Sequence, residues 1–165
     1  MTVSFGENYV FSVRRRTHYD EQKIIPNYCL RTATQDIIEF DYWSATWELS
    51  GIDCMLCASL RKDEYSIPAL SNLKQMSMPK YCINPIQFGP LEVYYNYNEM
   101  NLCLDDSVRC DEIVAYYSEG RVDFFYDSEG YLVDIRVRDL SDHEYQVLKD
   151  EEEDYGHYMK AYSII

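Results

Sequence analysis

The segment AYYSEGRVDFFYDSEGYLVDIRV, residues 115–137, contains the triplet Ser-Glu-Gly twice, ten residues apart. β-branched and aromatic residues, which favour strands, flank both triplets. Three-residue hairpin loops commonly end in a residue of left-handed backbone conformation, which glycine adopts without the steric penalty of a Cβ atom. We therefore predict two hairpin turns, with Gly120 and Gly130 at that position, joining three successive strands into an antiparallel meander.

Alternation of apolar and polar residues predicts further strands in both halves of the chain. In the C-terminal half we predict strands over residues 93–97, 100–104, 113–117, 121–126 and 131–138. Tyr131, Val133, Ile135 and Val137 share one parity of the last of these, so we expect one face in the core and the other in water. In the N-terminal half, strands are predicted within residues 8–16, 27–34, 37–49 and 52–60, with Ser50-Gly51 as a hairpin turn.

The stretch between these two halves is rich in proline. Residues 61–90 contain four of the five prolines, and proline removes a hydrogen-bond donor from a strand. We predict a long connection with a helical turn near Pro68–Met76. It forms a soft boundary between an N-terminal β segment, residues 1–60, and an acidic meander plus helix, residues 91–165. Because 165 residues suit one core, we expect a single compact unit over 1–165.

A helix is predicted after the last strand. Ser141-Asp142-His143-Glu144 fits a capping box, which predicts a helix from Asp142 to about Lys149. A seam with a period of about 3.5 residues continues beyond it, with Glu152 interrupting the apolar positions; its members are Tyr145, Leu148, Glu152, Tyr155, Met159 and Tyr162. The predicted fold class is α+β: mainly antiparallel sheet in two meander-like halves, with a C-terminal helix packed on the sheet.

The formal net charge of -14 arises almost entirely in the C-terminal half. Residues 91–165 carry 19 acidic and 6 basic side chains, whereas residues 1–90 carry 10 and 9. Such a surface repels phosphate backbones, so we expect no direct contact with nucleic acid. The run Arg14-Arg15-Arg16 is too short to reverse this and is interpreted as the exposed end of a strand. A basic protein is the partner that this charge favours.

The sequence contains no phosphate-binding loop, nucleophile elbow or His-Glu-x-x-His motif, so we predict no catalytic residues, no cofactor and no metal. Cys54 and Cys57 are half of a zinc site, and in a strand they would point to opposite faces, so the six cysteines are expected to be reduced thiols. No signal-like apolar segment follows Met1, and no window suits a membrane span. These features predict an intracellular protein, cytoplasmic or nuclear, without membrane contact.

Clustered carboxylates leave an enzymatic alternative open. Asp105, Asp106, Asp111 and Glu112 could hold a hydrolytic metal ion, which would make the protein a metal-dependent hydrolase or nuclease. The other interpretation is that they are solvated turn residues on an acidic sheet. A ligand-binding barrel is a third possibility.

The C-terminal segment carries most of the candidate binding residues. Acids at 150–154 precede aromatic and Met residues, a combination that suits a basic, partly apolar groove. Packing of this tail on its own sheet is the alternative interpretation. The candidate partner-binding residues are acids of the meander turns, acids of this segment and its aromatic and Met residues: Glu119, Asp127, Glu129, Asp150, Glu151, Glu153, Asp154, Tyr155, Tyr158, Met159 and Tyr162.

Two stretches, EVYYNYNEMNLCL and VDFFYDSEGYLVDIRVRDLS, resemble the opening and closing β-hairpins in the sequence pattern of a domain family. Through them, residues 92–140 resemble a family of small uncharacterised prokaryotic β-meander domains. The match places Asp127, Gly130, Val133 and Ile135 on the family pattern, whereas Asn101 stands where the family usually has Asp, and IRVRD replaces its usual ending. Some members of the family lie beside toxin-like genes, so the resemblance implies an antitoxin or immunity-type role.

The predicted function is a non-enzymatic interaction module that presents an acidic, Tyr-rich surface to a basic protein. It would act as an adaptor, an inhibitor or a complex subunit. An antitoxin or immunity-type inhibitor is one version, and a subunit that engages histones or another basic nuclear protein is another. Homo-oligomerisation is left open.

Overall fold

A computed structural model describes residues 1–6, 9–14, 24–31, 37–43, 48–56, 59–61, 65–77, 91–104 and 110–162. These residues form two β-sheets and one C-terminal α-helix. The predicted α+β class is therefore confirmed, with neighbouring strands antiparallel throughout the first sheet and through the centre of the second.

The first sheet contains five strands in the order β1-β2-β5-β4-β3. Their bounds are Thr2–Gly6 (β1), Tyr9–Arg14 (β2), Ile24–Arg31 (β3), Ile37–Trp43 (β4) and Leu49–Leu56 (β5). Because β5 inserts between β2 and β4, the chain leaves the first hairpin, forms β3 and β4, and then returns to the centre of the sheet.

The second sheet contains seven strands in the order β6-β8-β9-β12-β11-β10-β7. Their bounds are Ser59–Arg61 (β6), Lys74–Gln75 (β7), Glu92–Tyr95 (β8), Glu99–Cys103 (β9), Ala115–Glu119 (β10), Val122–Tyr126 (β11) and Leu132–Arg138 (β12). The five central strands are antiparallel, whereas the short edge strands β6 and β7 pair in parallel with β8 and β10.

Both sheets contribute to one continuous hydrophobic core. Phe11, Phe40 and Ile52 of the first sheet belong to the same buried cluster as Leu102 and Phe124 of the second, and all five are at most 1% exposed. The prediction of a soft boundary at 61–90 stays a prediction, since residues 78–90 lie outside the described part of the chain.

The two predicted hairpins and their left-handed glycines are confirmed, although the first loop consists of Gly120 and Arg121 because Ser118 and Glu119 belong to β10. Gly120 has φ +65° and Gly130 has φ +87°, so both adopt the left-handed conformation that a Cβ atom disfavours. They join β10 to β11 and β11 to β12, which pair as the expected antiparallel meander. The β8–β9 hairpin then pairs with β12.

The prediction that alternate residues from Tyr131 to Val137, most of which form β12, share one core face is correct only in part. A register shift opposite Phe125 and Tyr126 places Leu132, Ile135 and Val137 in the main core. Val133 instead joins a second buried cluster on the opposite face of the sheet. The bulge adds one residue to the strand, so that alternation by parity fails at this point.

The predicted hairpin turn at Ser50-Gly51 is wrong, because both residues lie inside β5 and are buried. Gly51 makes room for Arg14, since a Cβ atom at residue 51 would lie 2.5 Å from Arg14 Nη1 and 2.9 Å from its Cδ. The guanidinium donates to the carboxylates of Asp41 and Asp53. Asp53 also accepts a hydrogen bond from Ser12 at 2.5 Å. Arg14 is the exposed last residue of β2, as predicted, and it also links β2 to β4 and β5 through these two carboxylates.

Replacing Gly51 with Ala is expected to lower the free energy of unfolding by about 1–2 kcal/mol, because the new methyl group displaces Arg14 from one of its two buried carboxylates. Urea denaturation measures the change. In an Arg14→Ala background the same substitution is expected to have less than half that effect. An equal loss in both backgrounds would show that the methyl group disturbs the strand itself.

One helix, α1, spans Asp142–Tyr162, which is longer than the predicted segment. The capping box is confirmed: Ser141 N donates to Glu144 Oε2 at 2.8 Å, and Glu144 N donates to Ser141 Oγ at 3.3 Å. Tyr145 and Leu148 are buried in the main core, and Val147 faces Gly6 of β1, whose hypothetical Cβ would lie 3.2 Å from Val147 Cγ1. The helix therefore covers the core beside β1.

Residues 65–77, here called the strap, run from one edge of the second sheet to the other. The strap follows β6, contains a 3₁₀ turn at Leu70–Asn72 and includes β7. Ile67, Leu70 and Leu73 pack on the second buried cluster. This outer face was expected to face water, but the strap covers part of it.

Candidate functional site

The acidic helix segment, residues 150–154, lies on the second half of α1. Asp150, Glu153 and Asp154 are exposed, while Glu151 and Glu152 are half-buried. Asp150 accepts a hydrogen bond from Gln146 at 2.7 Å, and Glu153 lies 3.6 Å from Lys149. Lys149 is the only Lys or Arg among residues 142–154. The segment therefore presents a concentrated negative charge to solvent.

The carboxylates of this segment repel each other. Partial burial, together with the nearby charges of Asp154 and Asp150, raises the pKa of Glu151. A cationic group placed against the segment would relieve this repulsion, because it favours the charged form of each carboxyl group.

A tyrosine cluster flanks the helix on the side of the β8–β9 hairpin. Tyr97 stacks on Tyr145 with ring centroids 4.1 Å apart, and Tyr95 lies 5.8 Å from Tyr145 in a tilted arrangement. Tyr97 remains 66% exposed. The Tyr95 hydroxyl donates a hydrogen bond to Glu152, and burial followed by this bond raises the pKa of Tyr95. Glu152, which seemed to interrupt the apolar seam, is thus the polar partner of a buried tyrosine.

The base of the helix is fixed by an ion pair. Arg121, in the β10–β11 turn, donates through both terminal nitrogens to Glu144 and through Nη1 to the Asp139 carbonyl at 3.0 Å. Burial would raise the pKa of Glu144, but the hydrogen bonds from Arg121 and Ser141 outweigh it and lower that pKa to about 2. The helix, and with it the acidic segment, is therefore anchored to the meander.

The structure separates the candidate acids of the meander turns. Glu119 ends β10, accepts a hydrogen bond from Tyr117 at 2.8 Å and lies 3.6 Å from the amino group of Met1. Asp127 lies at the opposite end of β11, where its Oδ1 accepts bonds from the amides of Glu129 and Tyr131, each at 2.9 Å. Asp127 thus shapes its turn, and Glu129 is exposed beside it. These acids do not form one patch.

The remaining predicted binding residues, Tyr155, Tyr158, Met159 and Tyr162, lie within α1, but their side chains are outside the described part of the structure. Whether the tail binds a partner or its own sheet stays a prediction. Sequence reasoning missed Tyr97 and Glu152 as members of this surface. The signal for Tyr97 was an aromatic residue immediately before the Asn98-Glu99 turn.

A second polar cluster lies on the outer face of the seven-stranded sheet. Asp123 is fully buried and accepts hydrogen bonds from Arg136 at 2.8 and 3.0 Å, from Arg138 at 3.0 Å and from Ser118 at 2.5 Å. Arg136 also lies over the ring of Phe125, 5.2 Å from its centroid. One carboxylate thus joins β10, β11 and β12.

The enzymatic alternative gains no support from the described residues, among which no three His, Cys, Asp or Glu side chains are grouped to hold a metal ion. Asp111 and Glu112 lie in an exposed 3₁₀ turn, while Asp105 and Asp106 are outside the described residues. Cys54 and Cys103 are buried thiols. Across the described chain, no helix is long and apolar enough to cross a membrane.

Comparison with known proteins adds no functional assignment: no protein-family model matches this chain, and a search of curated proteins finds no significant match. The resemblance of residues 92–140 to prokaryotic β-meander domains therefore stays a prediction, and function is inferred from the chain itself.

Proposed function

We propose that this protein is a non-enzymatic interaction module that binds a basic protein through the acidic helix segment and the neighbouring tyrosine cluster. The observation that carries the proposal is the combination of exposed Asp150, Glu153 and Asp154 on α1 with the exposed ring of Tyr97 at the base of the same helix. Acidic side chains attract lysine and arginine, and a tyrosine ring provides contact area and a face for cations.

The site is held rigidly enough to act as a preformed surface. Arg121 and Glu144 fix the start of α1, and Leu148 anchors it in the core. A partner would therefore bind without first ordering this part of the helix, which reduces the entropy lost on association.

The proposed partner is an intracellular basic protein of the cytoplasm or nucleus. An inhibitor of a toxin or of an enzyme is one version of this function. A subunit that binds histones or another basic nuclear protein is another. In each version, carboxylates and aromatic rings on α1 complement basic, partly apolar chemistry on the partner.

The proposal predicts a charge-specific loss of affinity. Affinity purification with mass spectrometry from the native organism identifies the partner, and calorimetry on the purified pair then gives Kd. The double variant Glu153→Gln/Asp154→Asn is expected to weaken binding about five- to tenfold at about 0.05 M salt, because it removes two exposed charges from the binding surface. Raising the salt to about 0.5 M should weaken binding of the unmodified protein through screening.

The matched control is Asp111→Asn/Glu112→Gln, which removes the same charge from the exposed turn before β10. We expect it to change Kd by less than about twofold, since it lies outside the proposed surface. Equal losses from both variants would mean that net charge alone drives association, and a salt-independent Kd would contradict the proposal.

A further inference from the structure

The strap connects the two edges of the seven-stranded sheet. β6 is one edge strand and β7 is the other, and six inter-strand spacings separate them, about 29 Å. At its start, Tyr65 stacks on Tyr94 of β8 with ring centroids 4.6 Å apart. At its end, Lys74 N donates to the Val114 carbonyl at 3.0 Å, and Met76 N donates to the Tyr116 carbonyl at 2.8 Å.

Asp134 lies on the face that the strap covers. It is 1% exposed, and within the described residues neither of its carboxylate oxygens has a hydrogen bond of normal geometry, although the Tyr65 hydroxyl and the Ile135 amide lie close enough to act on its charge. Asn101 on the neighbouring strand β9 likewise has a buried Oδ1 without a donor. Asp123, on the same face, accepts hydrogen bonds from Arg136, Arg138 and Ser118. Two arginines therefore neutralise the charge of Asp123, whereas in the part of the chain that the structure describes neither oxygen of Asp134 accepts such a bond.

An ionised carboxylate in such surroundings is strongly destabilising, since buried charges need a counter-ion or several donors. Burial raises the pKa of Asp134 well above its ordinary value, and the hydroxyl of Tyr65 and the charge of Arg136 oppose this only in part. A carboxylate buried without a normal hydrogen bond favours the neutral, protonated form while the strap is closed. Among the described residues, Tyr65, Arg136 and Glu99 act on Asp134, and Cys103 lies directly opposite it on β9. The strand register places Glu92 and Asp123 further away on the same face.

We propose that the strap is a proton-controlled cover of the seven-stranded sheet, closed while Asp134 is protonated and released when Asp134 loses its proton to water. This device is separate from the acidic helix segment and does not depend on the proposed function. Release separates β7 from β10 and exposes the outer face near Tyr94, Cys103 and Asp134.

The direction of the pH dependence follows from linkage. In the open form Asp134 faces water, so its pKa returns to the ordinary range, whereas the closed form raises it. Opening therefore releases one proton, and the opening equilibrium rises with pH between the two pKa values. The release of one proton changes the equilibrium constant for opening by up to about tenfold per pH unit. Closure is fully favourable below the open-form pKa and weakens as pH increases towards the closed-form value.

Hydrogen exchange of the full chain, corrected for intrinsic rates, tests the proposal between about pH 5 and pH 8. The amides of Lys74 and Met76 report the strap, and the amide of Leu104, which donates to Val133 at 3.0 Å, reports the sheet beneath it. The expected result is that protection of the strap amides falls by up to about tenfold per pH unit, while the sheet amide stays more strongly protected throughout.

Asp134→Asn keeps the shape of the side chain without an ionisable group, so the strap amides of this variant are expected to show no pH slope. Cys103→Ser removes the neighbouring thiol and should retain the slope of the unmodified protein. A flat profile in the unmodified protein, or an unchanged slope in Asp134→Asn, overturns the proposal. Equal protection of strap and sheet amides also overturns it, because opening would then be global unfolding.

Discussion

Replacing Asp123 with Asn is expected to lower the free energy of unfolding by about 3–5 kcal/mol, because it removes one partner of a buried ion-pair network. Asp123 is fully buried, and Arg136, which donates to it, is 14% exposed. The Asn side chain accepts hydrogen bonds but carries no charge, so the positive charges of Arg136 and Arg138 would repel each other without a carboxylate between them. Guanidinium chloride denaturation measures the loss as a lower midpoint at an unchanged m-value.

Glu129→Gln is the control for this experiment, because it removes the same charge from an exposed turn of the same meander. We expect a change within about 0.5 kcal/mol. A loss below about 1 kcal/mol for Asp123→Asn would mean that the arginines find other acceptors, and the proposed role of Asp123 in joining the three strands would be wrong.

Replacing Leu148 with Ala is expected to lower the free energy of unfolding by about 3 kcal/mol. Leu148 is fully buried where α1 meets the core, and the truncation leaves a cavity that the two sheets cannot collapse to fill. Thermal and urea unfolding measure the loss. His143→Ala, at an exposed position of the same helix, is expected to change stability by less than about 1 kcal/mol.

Leu148→Ala also tests whether α1 unfolds together with the two sheets. If α1 is part of the core, unfolding remains a single transition and the midpoint falls. A separate early loss of helical signal, with the sheets unfolding at their original midpoint, would show that the helix is an appendage and not part of one cooperative unit.

The local parts of this fold were predictable from sequence because their causes lie within a few residues. Gly120 and Gly130 indicate turns with a left-handed residue. Ser141 and Glu144, three residues apart, form a capping box. The alternation of residues in β8 to β12 was sufficient to identify the C-terminal sheet. In each case the signal lies in residues that are close together in sequence.

The incorrect or missing predictions depend on how strands and side chains pair, which a local pattern does not define. Gly51 resembles a turn residue, but it lies in a strand because Arg14 passes over it to reach Asp41 and Asp53. The parity of Val133 fails at a bulge that only the pairing with β11 defines.

The same limit applies to the candidate site. The acidic segment is evident in the sequence as consecutive acidic residues, whereas its contacts in the folded protein involve residues far away in sequence. Tyr95 reaches Glu152, 57 residues away, and Arg121 reaches Glu144, 23 residues away. The sequence alone also did not predict that Glu119 and Asp127 lie at opposite ends of β11, because this depends on the pairing of β10, β11 and β12.

The strap has a consequence for self-association. Sheet edges present unpaired amides and carbonyls that recruit other strands, and proteins commonly cover them. Here the outermost strands are β6, which precedes the strap, and β7, which lies within it. They are only three and two residues long, so each offers few unpaired groups to another strand. We expect a proteolytic cut that releases β7 to uncover the outer edge of β10, and the cleaved protein to add a further strand there more readily than the intact one.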